Sequence, residues 1–387
     1  MPDPVSSAPL EATLAALRRA PDLEAPELRA WDAADRYLLD TATTVIEGAP
    51  DRPVAVIDDT HGALALGALT LGTSVVRVHQ DSLVARNALE RNAARLAPAA
   101  PIDHHELDTV ATDAGLLLLR LPRSLARLDA VARLLAARAT DDAVLIAGNM
   151  VKHMTPAQNE VLRGSFARVD VSLARGKARL LTARGPIRRQ PLEPARGYDP
   201  EHALHVVALP GVFAGASVDI GTRALLATFD TLSPFTTAID LACGSGLLAS
   251  ALARRTPGAR VIASDVSAIA VASASLTAEA NGVRIHAVHD DGLARQPDAS
   301  ADLVVLNPPF HVGAAVHTGL ALRLFAEAAR VLRPGGELRA VWNSHLDYRP
   351  ALERLVGPTR QLARTAKFTV TASRAAAREG APGGRPQ

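Results

Sequence analysis

Short apolar runs alternate with stretches of helical spacing along most of the chain, and the second half keeps this rhythm almost without a break. Thr237 to Ala242 is an apolar run that leads into Cys243-Gly-Ser-Gly246. Leu247 to Arg255 then has helical spacing. Arg260 to Asp265 is short, β-rich and ends in an acid. Val266 to Asn281 reads as a helix stopped by Gly282. Ile285 to Val288 predicts a third strand ending at Asp290-Asp291, and Ala301 to Leu306 a fourth ending at Asn307-Pro-Pro-Phe310. A helix is expected from about Val316 to Leu332, stopped by Pro334-Gly-Gly336. Glu337 to Trp342 and Phe368 to Ala372 complete the set as strands.

The first half repeats the rhythm. Pro53 to Ile57 predicts a strand ending at Asp58-Asp59, Ser74 to Val78 a strand followed by Asp81, and Gly115 to Leu121 a strand ending at Pro122. Asp58 and Asp81 lie 23 residues apart, against 25 for Asp240 and Asp265; Asp58 and Pro122 lie 64 apart, against 68 for Asp240 and Pro308. The matching intervals read as one fold used twice, with Leu121-Pro-Arg-Ser124 where the second copy has Asn-Pro-Pro-Phe. The alternative is a chance likeness of two α/β units. Arg184 to Pro200 has four prolines, two glycines and no periodicity, which is a linker composition. The expectation is therefore an α/β protein with two tandem Rossmann-like domains and mostly parallel sheets, over residues 1–190 and 198–375, with a flexible tail at 376–387.

Composition narrows the class. The 387 residues suit two domains, and a hydrophobic fraction of 48% excludes wholesale disorder. One cysteine, Cys243, excludes an intrachain disulfide and a cysteine-rich zinc site. No apolar run reaches about 18 residues, and the N-terminus lacks the basic start and apolar core of a signal peptide. A cytoplasmic protein with no membrane contact is expected. The net charge of +2 says little, but its distribution is uneven. Arg163, Arg168, Arg175, Lys177, Arg179, Arg184, Arg188 and Arg189 face a single acid of their own stretch, Asp170. Residues 349–378 hold a second basic run. Such clusters either hold phosphates or form a solvated arginine-rich surface.

The chemistry collects in the second half. The turn Asp240-Leu-Ala-Cys-Gly-Ser-Gly246 joins a strand to a helix, where small residues let a ligand approach the backbone and the helix start offers free N–H groups. Ala242 stands where the usual pattern has its first glycine. Asp265 either accepts the hydroxyls of a ribose or caps the next helix. Asp290 and Asp291 either form a polar loop or accept from an adenine amine, with Asp291 favoured. Asn307-Pro-Pro-Phe310 does more than stop a strand. The Asn307 oxygen and the Pro308 carbonyl can accept both hydrogens of a planar amine, Pro308 and Pro309 stiffen the turn, and Phe310 can stack on the target. Cys243 reads as a packing residue, and the histidine pairs (His104-His105, His202 with His205, His286 with His289) form no evident metal set.

In this order the motifs resemble a class I S-adenosylmethionine (SAM) site. The second half is similar to the ribosomal RNA guanine-N2 methyltransferases of the RsmC/RlmG type, through Leu209-Pro-Gly-Val-Phe213, Asp219-Ile-Gly221, Asp240 to Gly246, Asn307 to His311, Asn343-Ser-His-Leu-Asp-Tyr348 and Lys367-Phe368. Asp58 to Leu64 and Lys152-His153 are the matching traces in the first half. The resemblance implies two class I methyltransferase domains, the first degenerate and turned to RNA recognition. It implies SAM at Asp240, Ala242, Gly244, Gly246, Asp265 and Asp291, and catalysis by Asn307, Pro308, Pro309 and Phe310 on a guanine N2 amine of ribosomal RNA or a ribosomal subunit, without a metal. The alternatives are methylation of an adenine N6 or a protein glutamine amide, and a non-catalytic RNA-binding assembly factor.

Overall fold

The structure is a computed structural model that describes residues 8–99, 102–308 and 314–376. The chain divides into two compact units, Met1–Glu193 and Pro194–Gln387.

The N-terminal unit is built on strands β1 (Val54–Ile57), β2 (Val76–His79), β3 (Ile102–His104), β4 (Leu116–Arg120), β5 (Val144–Met150), β6 (Phe166–Val171) and β7 (Ala178–Pro186). They form one sheet in the order β3-β2-β1-β4-β5-β7-β6. All pairings among β1 to β5 are parallel, while β7 runs antiparallel to both neighbours. The helices are α1 (Ala8–Ala16), α2 (Ala33–Gly48), α3 (Ala63–Thr70), α4 (Leu83–Leu96), α5 (Leu125–Arg138) and α6 (Ala157–Arg163). Successive strand residues serve opposite faces. Val54 and Val56 pack in one core with Leu38 and Leu64, whereas Ala55 and Ile57 pack in another with Leu128 and Val131. A sheet covered on both faces needs apolar residues at every strand position, which is why the central strands read as unbroken runs.

The C-terminal unit opens with a two-stranded antiparallel ribbon, β8 (Ala195–Asp199) and β9 (Leu204–Ala208). Its main sheet holds β10 (Thr237–Leu241), β11 (Arg260–Asp265), β12 (His286–His289), β13 (Ala301–Leu306), β14 (Leu332–Asn343), β15 (Thr359–Arg364) and β16 (Phe368–Arg374). The order, β12-β11-β10-β13-β14-β16-β15, is that of the first unit, again with the penultimate strand reversed. The helices are α7 (Ile220–Leu226), α8 (Leu247–Arg255), α9 (Ala268–Ala280), α10 (Ala314–Val331) and α11 (Arg349–Leu355). Ala238 and Leu303 pack on one face, Ile239 and Val304 on the other.

The stretch from Arg184 to Pro200 is not wholly irregular. Ala195–Asp199 is strand β8, and it owes its order to its partner β9, which its own polar, glycine-bearing sequence does not reveal. Gly197 belongs there because a side chain would strike the Ala216 carbonyl oxygen, 2.0 Å from where its Cβ would stand. The tail at 376–387 lies outside the described residues from 377 onward.

Candidate active site

In each sheet the strand order reverses at the first strand, because β10 has β11 on one side and β13 on the other. Loops at the carboxyl ends of such strands diverge and leave a crevice, the usual ligand position in open α/β sheets. Asp240, the glycine turn, Asp265 and Asn307 all lie at this end of β10, β11 and β13.

The turn after β10 takes three left-handed residues, Ala242 (φ +60°), Gly244 (φ +53°) and Gly246 (φ +74°). Its two glycines differ. A methyl group at Gly246 would stand 2.6 Å from the Ala274 Cα, so Gly246 lets α8 and α9 approach. At Gly244 nothing lies within 4 Å of the Cβ position, so this glycine leaves open space above the turn. Asp265 braces the turn: its Oδ2 accepts from the Gly244 N–H at 2.9 Å and its Oδ1 from the Ser267 N–H at 2.9 Å. The cap of α9 is Ser267, which accepts from Ala270, so Asp265 is not that helix's cap. Asp240 is fully buried beneath the turn. One carboxylate oxygen accepts from Ala249 at 2.9 Å and the other has no partner. Burial, with help from nearby Asp265, pushes its carboxyl up to about 8. Burial likewise pushes the Cys243 thiol well up, in keeping with a packing role.

Asp290 is an internal brace, accepting from the Asp291 and Arg295 N–H groups at 2.9 Å each. Asp291 is paired with Arg323 at 2.7 Å. Asn307 follows β13 directly. Its Nδ2 donates to Asp219 Oδ2 at 3.2 Å and to Thr222 Oγ1 at 3.0 Å. A carboxylate only accepts, so the amide must turn its NH2 toward Asp219, leaving its oxygen as the acceptor on the other side. Asp219 and Thr222 carry no site role that the sequence alone reveals, standing 88 and 85 residues before Asn307. Asn307 and Gly244 line one cavity of about 50 Å³, shared with Phe213, Asp219 and Thr222. Pro308 is buried; Pro309, Phe310 and His311 lie outside the described residues.

The N-terminal unit has counterparts at each position, shifted from those the intervals suggested. Ile57 pairs with both Leu119 and His79, as Leu241 pairs with both Leu306 and Ser264. Asp58 (φ +58°) therefore matches Ala242, Gly62 (φ +93°) matches Gly246, Thr60 matches Gly244, Gln80 matches Asp265 and Arg120 matches Asn307. Asp58 does not match Asp240, nor Asp81 Asp265, and Pro122 falls opposite Pro309. The carboxylate duty of Asp240 is done by Asp59, which accepts from Ala65 at 2.9 Å, the third residue of α3 as Ala249 is of α8. Arg120 meets Asp32, the cap of α2, at 2.9 Å and Asp35 at 3.0 Å. Burial, with Asp32 and Asp59 nearby, pushes the Asp35 carboxyl up to about 7 against the pull of Arg120. A cavity of about 670 Å³ in this unit lies between α1 and residues 17–31, and none of these counterparts lines it.

The fold also supplies acids to the basic stretch at 163–189. Arg163 pairs with Glu160, Arg168 and Arg184 with Asp170, Arg175 with Asp40, and Arg188 with Asp141. Among the described residues no acid pairs with Lys177, Arg179 or Arg189. His202 sits with Asp199 and Glu201, their ligand atoms within 4.8 Å of one another, and Arg223 pairs with both carboxylates. No helix among the described residues is long and apolar enough to cross a membrane.

A sheet of this order, with a glycine turn and an acid ending adjacent strands, defines a class I methyltransferase, the class whose methyl donor is SAM. Residues 203–372 match the methyltransferase small domain and residues 6–186 the RLMG N-terminal domain. The ribosomal RNA large subunit methyltransferase G of Pseudomonas entomophila is 37% identical over 371 residues, covering 92% of this chain and 96% of the relative. That of Streptomyces avermitilis is 36% identical over 373 residues, covering 92% and 95%. The chain belongs to the ribosomal RNA large subunit methyltransferase G family. It is also similar in structure to the Thermus thermophilus 16S rRNA N2 G1207 methyltransferase (RsmC), solved with AdoMet and guanosine: TM-score 0.73, 25% identity, covering 91% of this chain and 97% of that one.

Proposed function

We propose that this protein methylates the exocyclic N2 amine of a guanine in ribosomal RNA, with SAM as methyl donor, in the cytoplasm. The observation that carries the reading is the Asn307 amide, turned so that its oxygen is the free acceptor on the cavity it shares with Gly244. The cofactor fits the residues present. Gly244 leaves a space that a side chain would enter, Asp265 has its carboxylate on the Gly244 N–H, and Asp240 keeps a buried oxygen without a partner. The turn from Ala242 to Gly246 would hold the amino-acid part, Asp265 the ribose and Asp291 the adenine amine. The bound cofactor supplies an electrophilic methyl group.

The remaining work belongs to the chain. Asn307 Oδ1 and the Pro308 carbonyl accept the two amine hydrogens, which fixes the amine plane and leaves the nitrogen lone pair to point out of it. Pro308 and Pro309 keep these acceptors in place before the base arrives, and Phe310 stacks on it. Alignment of this kind supplies most of the rate without a base of shifted pKa. The N-terminal unit serves RNA binding and not the cofactor, because Thr60, Gln80 and Arg120 stand where Gly244, Asp265 and Asn307 stand. The ribosomal RNA substrate of the relatives favours this reading over a glutamine amide, and the N2 guanine target of the structurally similar Thermus thermophilus enzyme favours it over an adenine N6. The test is transfer of labelled methyl from SAM to unmodified ribosomal RNA, with the modified base identified. Asn307→Ala is expected to lose turnover at least roughly 100-fold with SAM affinity nearly unchanged, the mark of an interaction made in the transition state. Label on adenine or protein refutes the proposal.

A further inference from the structure

We propose that Asp219 is a positioning residue of this reaction, which sets the rotation of the Asn307 amide and thereby selects a hydrogen-bond donor at the target. The inference rests on the reading of Asn307 as the acceptor for the amine.

An asparagine amide has two orientations, related by half a turn, that differ little in shape and are opposite in hydrogen bonding. Something nearby must choose. Here the Nδ2 faces two oxygens, Asp219 Oδ2 at 3.2 Å and Thr222 Oγ1 at 3.0 Å. The Thr222 hydroxyl cannot offer its hydrogen to a flipped amide, because it donates that hydrogen to Asp219. A flip would therefore set the amide oxygen against a carboxylate and a hydroxyl lone pair. Asp219 is itself fixed: it caps α7, accepting from Gly221 at 2.8 Å and from Thr222 at 3.3 Å. Gly221 keeps the pair unobstructed, for a Cβ there would stand 3.2 Å from both Asn307 Oδ1 and Asp219 Oδ1. The hydrogen bonds to Asp219 and Thr222 thus favour one rotation of the amide.

The consequence is chemical selection. With its oxygen outward, Asn307 accepts from an amine and repels a carbonyl; reversed, it would do the opposite. The N-terminal unit holds the same two positions in the same relation. Its helix-capping Asp32 meets Arg120, the counterpart of Asn307, at 2.9 Å. Both units thus face this strand end with a capping carboxylate, and only in the C-terminal unit is the partner an amide whose other end is an acceptor.

The experiment uses the full-length protein and Asp219→Asn, because asparagine caps helices as well as aspartate does and keeps the first turn of α7. Thr222→Val is the second variant and leaves the cap untouched. In single-turnover assays each is expected to lower the rate roughly 10- to 100-fold, the scale of a hydrogen bond to a charged group, with SAM affinity within about twofold of wild type. In an Asn307→Ala background Asp219→Asn is expected to change the rate by less than about twofold, since the group it acts through is gone. A cofactor-free readout accompanies these: the Asn307 side-chain NH2 resonance, assigned by its absence in Asn307→Ala, is expected to shift in Asp219→Asn. Wild-type rates in both single variants, or effects that multiply in the Asn307→Ala background, overturn the role of Asp219 while leaving Asn307 in place. Full turnover by Asn307→Ala overturns the reading of Asn307 and this inference with it.

Discussion

The two glycines of the β10–α8 turn should fail in different ways when each is given a methyl group. Gly244 has φ +53° and open space around its Cβ position, so Gly244→Ala carries only the left-handed backbone cost, about 1–2 kcal/mol. Gly246 has φ +74°, and its new methyl would also meet Ala274 Cβ at 2.5 Å and Cα at 2.6 Å. Alanine's Cβ cannot retreat as the end of a long side chain can, so α8 and α9 must separate. Overpacking of this kind adds about 1–3 kcal/mol, which brings Gly246→Ala to about 2–5 kcal/mol. Stability can be read one unit at a time, because the protein has two tryptophans, Trp31 in the N-terminal unit and Trp342, 2% exposed, in the C-terminal one. In a Trp31→Phe background, urea unfolding followed by fluorescence reports Trp342 alone, and calorimetry gives SAM affinity on the same samples. Gly246→Ala is expected to lower the unfolding midpoint by about 1 M or more. Gly244→Ala should lower it by less than half as much and yet weaken SAM at least roughly tenfold, since its methyl enters the space assigned to the cofactor. Equal stability losses for the two variants, with SAM affinity untouched in Gly244→Ala, would show that the turn is only a turn.

Asp240 holds its proton in the folded state to about pH 8, while an unfolded aspartate loses it near pH 4. The folded state therefore binds the extra proton in that window, and stability falls with rising pH until about 8; Asp240→Asn should remove a slope of about 1.4 kcal/mol per pH unit from the unfolding free energies obtained by urea denaturation between about pH 5 and 7. Arg120→Met strands Asp32 and Asp35 without their cation and is expected to cost the N-terminal unit about 3–5 kcal/mol at pH 8. Without the pull of Arg120 the variant's Asp35 keeps its proton to higher pH than the wild type's, so the loss should shrink as the pH falls toward 7 and change little just below it. Titration of the full chain with SAM should give one site, and two sites would contradict the assignment of the cofactor to the C-terminal unit. Replacing Lys177, Arg179 and Arg189 by glutamine should flatten the salt dependence of RNA affinity by roughly one unit of slope for each phosphate no longer neutralised; an unchanged slope would place the RNA grip elsewhere.

The fold was largely legible because parallel strands buried on both faces leave unbroken apolar runs, and Asn307, Asp265 and Gly244 announce themselves at the ends of such runs. Three things were hidden, each because it depends on residues that meet only in the folded chain. Asp219 acquires its meaning only when the cap of α7 meets Asn307. The basic stretch at 163–189 looks unbalanced until the fold brings in Asp40 and Asp141. The third case is the internal match. Counting from acid to acid paired Asp58 with Asp240, but what the loop requires is a carboxylate on the third N–H of the following helix. Asp59 meets that requirement from one side and Asp240 from the other. Spacing records where an acid stands and not which donor it reaches.

The ion pairs around Arg120 also bear on which substitutions the N-terminal unit can accept. Placing asparagine at position 120 would leave Asp32 and Asp35 without their cation. Removing either acid first would leave Arg120 short of a partner. Each single substitution toward an amide at this position passes through a less stable protein, so the steps must come together or not at all. The paired charges work as a mutual lock: each holds the others to their present identity, because no one of them can change alone without stranding its partners.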